Sequence, residues 1–321
     1  MNITVIGCGR WGSLITWYLD HIGHRVTLYG RAASPRMQAF LTTRQNDLLT
    51  LPESVALFTA LDAALESAET VIISIGSQSL RALLGQSELQ ALRSRTVVLC
   101  MKGLEMGTGA RLSQIAAELL HPSNTVAVWL GPGHVQEFYR GIPNCMVIDS
   151  ENEDAKRRLV QAFSSDLIRF YYGGDMIGNE VGAAAKNVVG IAAGFLDGFE
   201  MSSLKGALMS RGTREVARLI KAMGGSELSA YGLCHLGDYE ATVFSPYSHN
   251  RQFGESFVRG QDYHQLAEGY YTVKALMLLG QRYGVELPIC KAVHDILYEQ
   301  AVPRDMLAGL LRRGLTEEFY D

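Results

Sequence analysis

Short runs of Val, Ile and Leu recur through the first half of the chain, each closed by a glycine or a polar turn. "NITVIG" (2–7) and "RVTLYG" (25–30) open the series. "TVIISIG" (70–76), "TVVLCMKG" (96–103), "TVAVWLG" (125–131) and "CMVID" (145–149) continue it. Apolar runs this short and this rich in β-branched residues predict strands buried on both faces. The segments between them carry helical spacing, as in Trp11, Leu14, Ile15, Tyr18 and Leu19, and again over 80–92 and 110–120. Strands alternating with helices predict an α/β domain whose mainly parallel, doubly wound sheet is covered on both faces.

After about residue 175 the rhythm changes. Strand runs cease, and helical patterns follow over 179–198, 203–223, 227–235, 265–283 and 288–301. The glycine pair in "YYGGDMIG" supplies a turn at the change. The expected division is a Rossmann-type dinucleotide-binding domain over 1–177 and an all-α substrate and catalytic domain over 178–321. No internal repeat or low-complexity segment is evident.

The first turn carries chemistry. "GCGRWG" is a G-x-G-x-x-G that directly follows a strand and opens a helix. Gly7 allows the tight turn, Gly9 lets the backbone approach a pyrophosphate, and Gly12 lets the helix pack close to the sheet. The helix N-terminus offers N–H groups and partial positive charge to phosphates. NAD proteins usually place an acid at the end of the second strand for the ribose hydroxyls. This chain has "YGRAASPR" there, with Arg31 and Arg36 and no acid, which favours NADP over NAD.

Composition narrows the class. A chain of 321 residues exceeds one ordinary core and implies two domains. A net charge of −4 without a basic run argues against a nucleic-acid or polybasic membrane partner. Five cysteines without metal-ligand spacing fit reduced thiols and no metal site. The N-terminus shows no export signal. The most apolar window is interrupted by Lys186 and Asp197, too polar for a membrane span. These observations lead to the expectation of a soluble, cytoplasmic protein acting on a small molecule.

That apolar window, "EVGAAAKNVVGIAAG" (180–194), places Lys186 on a helix face with Gly182, Ala183, Val189, Gly190 and Ala193. Such a face is small enough for a flat ligand to approach the ammonium. A buried ammonium needs a carboxylate or ligand partner or a lowered pKa, unless its stem snorkels to water. The pattern by itself leaves both readings open.

Taken in order, the glycine loop, "KGLE" (102–105), "GPGH" (131–134), "EVGAAAKN", "SRG" (210–212), "LGD" (236–238), "HNRQFG" (249–254), "AEGYYT" (267–272) and "GVELPI" (284–289) resemble the bacterial type of NAD(P)-dependent glycerol-3-phosphate dehydrogenase. The resemblance spans nearly the whole chain. It implies a 6-phosphogluconate dehydrogenase-like fold and hydride transfer between NAD(P)H and dihydroxyacetone phosphate or sn-glycerol 3-phosphate, a step toward phospholipid precursors. It also implies a homodimer. By the same resemblance Lys186 is the acid/base, Asp238 orients it, and Lys102 is a second cation that also reaches the cofactor. Gly131, Asn187, Thr242, Ser248, His249, Asn250 and Arg251 match substrate-contacting positions. Arg10, Trp11, Arg31, Val135 and Glu268 match cofactor-contacting ones, with Gly7, Gly9 and Gly12.

The departures from that family cluster at the substrate. His249 stands where the family has arginine, Gln252 where a further arginine is common, Gly133 where Ser or Thr follows Gly-Pro, and Gly76 where proline is usual. Histidine is a weaker and pH-dependent phosphate ligand than a guanidinium fork. Either His249 or Arg251 takes over the phosphate, or the same chemistry serves another small keto or hydroxy substrate with a phosphonate, carboxylate or altered headgroup. A non-catalytic NADP(H) sensor would need the glycine loop but no proton donor. A ketopantoate- or hydroxyisobutyrate-type reductase would leave "KGLE" and "LGD" unexplained.

Overall fold

The computed structural model describes residues 1–312, 317 and 318, and the chain divides into two compact units. The first comprises Met1–Met101 and Leu112–Met176, the second Lys102–Arg111 and Ile177–Asp321.

In the first unit the apolar runs become strands β1 (Asn2–Ile6), β2 (Arg25–Tyr29), β3 (Ala56–Phe58), β4 (Thr70–Ile73), β5 (Thr96–Leu99), β6 (Thr125–Leu130), β7 (Asn144–Asp149) and β8 (Ile168–Tyr172). Helices α1 (Arg10–His21), α2 (Pro35–Thr43), α3 (Leu61–Leu65), α4 (Leu80–Leu84), α5 (Ser87–Gln90), α6 (Leu112–Leu119), α7 (Val135–Tyr139) and α8 (Glu153–Phe163) lie between them. The strand order is β3-β2-β1-β4-β5-β6-β7-β8. All neighbours are parallel except β6 and β7. The first six strands have the dinucleotide-fold order, whose direction of winding reverses beside β1. Leu14, Ile15, Tyr18 and Leu19 of α1 are buried as their spacing requires.

The expected helix over 80–92 is split at Gly85 into α4 and α5. Strands β3 and β8 and helices α2 and α8 were not marked by the apolar pattern. The β8 strand is an edge strand with Tyr171 and Tyr172 exposed, so it lacks a continuous apolar run. At the end of this unit the Asp149 carboxylate accepts the Asp175 N–H at 3.0 Å, and buried Lys156 donates to Gly173 O at 2.7 Å.

The second unit is built on α9 (Met176–Gly198), with α10 (Lys205–Ala222), α11 (His249–Val258), α12 (Glu268–Tyr283), α13 (Pro288–Tyr298) and α14 (Pro303–Leu311). A helix apolar on all sides belongs at the centre of a bundle, and 18 residues of α9 are buried. The helix expected over 227–235 is only a 3₁₀ turn at Glu227–Tyr231, and α11 was missed. The segment 288–301 ends at Tyr298 and a separate α14 follows Pro303. Glu215 of α10 is buried and accepts the amides of Ile289 (2.8 Å) and Cys290 (2.9 Å), capping the first turn of α13. Among the described residues no helix is long and apolar enough to cross a membrane.

The glycines of α9 let neighbouring backbone approach it. A Cβ on Gly194 would land on the Arg251 carbonyl oxygen of α11, and one on Gly190 would stand 2.7 Å from Thr242 Cγ2 and 3.3 Å from Asn250 Cβ. The small face of α9 is therefore covered by the protein itself rather than left for a flat ligand. Overpacking such a contact costs about 1–3 kcal/mol. Gly194→Ala is expected to lower the denaturant midpoint by that amount of stability, whereas Gly206→Ala, with open space around its Cβ, leaves it unchanged or raises it. Equal midpoints for the two variants would contradict the packing role of Gly194.

Candidate active site

In the first unit, the turn between β1 and α1 separates two kinds of glycine. Gly7 has φ +117°, and a Cβ there would land on the Ser74 carbonyl oxygen beyond β4. A Cβ on Gly12 would land on the Gly7 carbonyl oxygen. Both are demanded by the fold's own packing. Gly9 is different: its φ of −75° and ψ of −176° suit any residue. The nearest atom to its added Cβ is Arg36 Nη1 at 3.8 Å. The protein leaves an open approach beside the N-terminus of α1, which has neither a side-chain cap nor an acidic residue in its first turn. That arrangement fits a dinucleotide pyrophosphate.

The other candidates of this unit lie just beyond its strands or in the first turns of its helices. Arg31 is exposed just beyond β2. Trp11 packs tilted against Phe138, ring centroids 6.0 Å apart. Val135 is buried at the start of α7, and Gly131 has φ +128°. Gly133 has φ +141°, and the Phe138 ring fills the space its side chain would take. With Phe138 in place a hydroxyl-bearing residue does not fit at 133, so this departure has a conformational cause. Gly76 keeps the φ of −64° that a proline would have.

The second unit gathers the ionisable candidates. Asp238 ends the 3₁₀ turn Leu236–Asp238, and Thr242 lies in the π-helical turn Glu240–Phe244 that follows. The turn brings the Thr242 hydroxyl back to donate to Asp238 O at 2.7 Å. With its hydrogen so committed, that oxygen accepts from Lys186 Nζ at 2.7 Å. Asp238 Oδ2 lies 3.0 Å from Lys186 Nζ and 2.7 Å from Lys102 Nζ. Asp238 Oδ1 is buried with no hydrogen-bond partner among the described residues.

The Lys186 side chain is 8 % exposed and that of Asp238 1 %. Burial pulls the Lys186 ammonium down to about 8; Asp238 opposes the fall and Lys102 adds to it. Two cations on one carboxylate oxygen leave the group with net positive charge. Lys186 does not snorkel. It is buried and paired, the costlier of the two possibilities left open by its sequence.

A chain of amides sets the position of Lys102. The Gly269 N–H donates to Asn250 Oδ1 at 2.9 Å, so Asn250 Nδ2 donates to Asn187 Oδ1 at 3.0 Å, and Asn187 Nδ2 donates to Lys102 O at 2.7 Å. The first donor is a backbone amide, which fixes the orientation of every amide after it. Glu268, beside Gly269, begins α12. Thus Lys102, Lys186, Asn187, Asp238, Thr242 and Asn250 form one connected group.

Ser248, His249 and Arg251 flank Asn250 and have the following partners. Ser248 caps α11 by accepting the Arg251 N–H at 3.3 Å. The Arg251 guanidinium is committed to Asp197 (2.7 Å), Glu255 (2.9 Å) and Ser245 O (3.0 Å), in a cluster with buried Lys205. His249 Nδ1 lies 2.6 Å from the Tyr263 hydroxyl. That hydroxyl donates to Gln252 Oε1, whose amide group in turn donates to Pro246 O. Tyr263 therefore accepts from His249, and the Nδ1 atom carries the ring proton. Residues missed by sequence reasoning are His235, Tyr239, Tyr263 and Gly269; only the short spacing of His235 and Tyr239 around Asp238 could have signalled a role.

Among known proteins, the family model for the NAD-dependent glycerol-3-phosphate dehydrogenase N-terminus matches residues 2–156, and that for its C-terminus matches residues 175–308. A protein named glycerol-3-phosphate dehydrogenase [NAD(P)+] from a Thermoanaerobacter species is 32 % identical over 331 residues, covering 100 % of this chain and 99 % of its own. One of the same name from Nitrosomonas eutropha is 34 % identical over 325 residues, covering 98 % of each. The crystal structure of glycerol-3-phosphate dehydrogenase from Coxiella burnetii superposes with a TM-score of 0.89 at 27 % identity, covering 97 % of this chain and 99 % of that one.

The contrast among the loop glycines is testable by pairing cofactor titration with thermal unfolding. Gly12→Ala is expected to lower the melting temperature. Gly9→Ala should leave it unchanged while weakening NAD(P)H binding by about tenfold or more. Unaltered cofactor binding in Gly9→Ala would remove the pyrophosphate from this turn.

Proposed function

The chain belongs to the NAD-dependent glycerol-3-phosphate dehydrogenase family, and on that basis we propose that it interconverts dihydroxyacetone phosphate and sn-glycerol 3-phosphate with Lys186 as general acid and base. The observation that carries the assignment is buried Lys186 and Asp238 joined to half-buried Lys102 and the Thr242 hydroxyl.

A bound nicotinamide cofactor supplies or takes the hydride. Everything else falls to the protein. As a carbonyl is reduced, negative charge develops on its oxygen, and a desolvated ammonium both stabilises that charge and delivers a proton. Two directions of the Lys186 ammonium are used by Asp238 and Thr242, and the third N–H is available to the substrate oxygen. In the reverse direction the neutral amine removes the proton from the alcohol. An ionisation at about 8 lets both forms exist near neutral pH. Asp238 holds the ammonium in place, and its second oxygen can accept from a substrate hydroxyl. Lys102 adds charge that suits an anionic substrate.

NADPH is the preferred cofactor in this reading, supported by the exposed Arg31 and by Arg36 beside Gly9, with no acid at the end of β2. A cytoplasmic homodimer follows from the family resemblance. A second reading is favoured by one observation. Arg251 is committed to two carboxylates and His249 to Tyr263, so neither presents the guanidinium fork expected for a phosphate. The same chemistry would then act on a small keto or hydroxy compound with a different headgroup.

The pH dependence of the two directions tests the role of Lys186. Oxidation needs the free amine, so kcat/KM for sn-glycerol 3-phosphate should rise through about pH 8 and then level off. Reduction needs the ammonium and should fall above the same pH. Lys186→Met should abolish both inflections and lower turnover roughly 10²–10⁴-fold while cofactor binding persists. Retention of wild-type rates in that variant would exclude Lys186 from the chemistry.

Substrate choice is tested by His249→Arg. If the headgroup differs from phosphate, this variant should improve kcat/KM for dihydroxyacetone phosphate by about tenfold or more. High activity in the unmodified protein, with no gain in the variant, would make His249 an adequate phosphate ligand and dismiss the second reading.

A further inference from the structure

Asp238 is flanked by two buried side chains with no part in the proton transfer proposed above. His235 and Tyr239 are both 0 % exposed. His235 Nδ1 lies 2.8 Å from Gly182 O, and its Nε2 lies 2.8 Å from the Tyr239 hydroxyl. A carbonyl oxygen can only accept, so Nδ1 bears the ring proton and Nε2 receives the Tyr239 O–H. Burial drives the imidazole down to about 4, opposed by the Gly182 carbonyl and reinforced by Lys186, so it is neutral at physiological pH. Burial also raises Tyr239 well above its ordinary value, which keeps the hydroxyl hydrogen in place.

The anchoring atom matters as much as the pair. In an α-helix the carbonyl of residue 182 is the acceptor for the amide of residue 186. His235 is thus tied to α9 one turn below Lys186, on a carbonyl that belongs to the same turn of backbone. A Cβ at Gly182 would stand 3.0 Å from His235 Cβ, so the close seat depends on glycine. The tie sits three residues before Asp238, and the Tyr239 bond closes the same stretch immediately after it. The carboxylate and the lysine are held on one frame.

We propose that His235 and Tyr239 are positioning residues, a neutral hydrogen-bonded pair that pins the 235–239 turn to the Gly182 carbonyl and so fixes the Asp238 carboxylate against Lys186. This inference rests on the reading of Lys186 as acid and base. Among the described residues the charged or titratable groups facing Lys186 are Asp238, Lys102 and His235, and its hydroxyl partner is Thr242. Of these, Asp238 is the one that raises the ionisation of Lys186. Loosening the turn therefore moves that ionisation to lower pH, an effect that loss of packing alone does not produce.

The test compares wild-type protein with His235→Leu, His235→Asn and Tyr239→Phe. Each is assayed for kcat, KM and the pH profile of sn-glycerol 3-phosphate oxidation, alongside its unfolding midpoint. His235→Leu removes both bonds. It should lower kcat about tenfold to hundredfold, change KM by less than about threefold, and shift the Lys186-dependent inflection to lower pH. His235→Asn returns an N–H donor to the position of Nδ1 and should recover most of the lost kcat and inflection. Tyr239→Phe keeps the ring and should show a smaller loss in the same direction.

Lower unfolding midpoints with an unmoved inflection and wild-type kcat would reduce the pair to core packing and overturn the inference. If His235→Leu does not fold, an unmoved inflection and wild-type kcat in Tyr239→Phe overturn it equally. A wild-type profile without any Lys186-dependent inflection would overturn the proton-transfer reading, and this inference with it. An inflection present in wild type and unchanged in His235→Leu and Tyr239→Phe overturns the pair alone.

Discussion

One carboxylate oxygen serves two ammonium groups in a buried pocket, and much of the second unit is arranged around that fact. Asp238 Oδ2 lies 2.7 Å from Lys102 Nζ and 3.0 Å from Lys186 Nζ. An ammonium as buried as Lys186 would be prohibitive alone, while a second cation nearby raises the cost of its charge further. The outcome is an ionisation near 8, set by burial against the attraction of Asp238. Each neighbour then has a definable task. Thr242 accepts from the ammonium because its own hydrogen goes to Asp238 O, and the amide chain from Gly269 through Asn250 and Asn187 holds the backbone of Lys102.

Close approach makes these distances possible. The glycines of α9 admit His235, Thr242 and the backbone of α11 to within contact of the helix that carries Lys186. A helix of alanines would push those segments outward and separate Asp238 and Thr242 from the lysine. The composition of α9 thus acts on chemistry through packing. In the first unit the division of labour is reversed: Gly7 and Gly12 serve packing, whereas an added Cβ at Gly9 would meet only the Arg36 guanidinium, at 3.8 Å, among the described residues.

The sequence showed the class of fold and the positions along the chain of six of its eight strands, because buried parallel strands read as continuous apolar runs. It did not show β8, whose edge position removes that run, or α11, whose glycine and polar residues blur the helical period. Lys186, Asp238 and Lys102 were legible through resemblance to a family, and their side chains meet in the structure. The sequence division at 177 assigns Lys102 to the first domain by position, whereas the segment Lys102–Arg111 clusters with the second unit. A contact 136 residues apart has no local signature. The small face around Lys186 was read as room for a ligand, when His235, Thr242 and Asn250 occupy it. Arg251 was a candidate phosphate ligand by its place in "HNRQFG", yet Asp197 and Glu255 hold it.

The central claim is that Lys186 carries a proton it can release near neutral pH. Direct titration of lysine side-chain nitrogens by NMR, in wild-type protein and in Lys186→Met, tests it without recourse to turnover. One resonance titrating at about 8 is expected in wild-type protein and is missing from the variant. If every lysine resonance titrates near the ordinary lysine value of about 10.4, Lys186 is an unperturbed ammonium and does not exchange a proton near neutral pH.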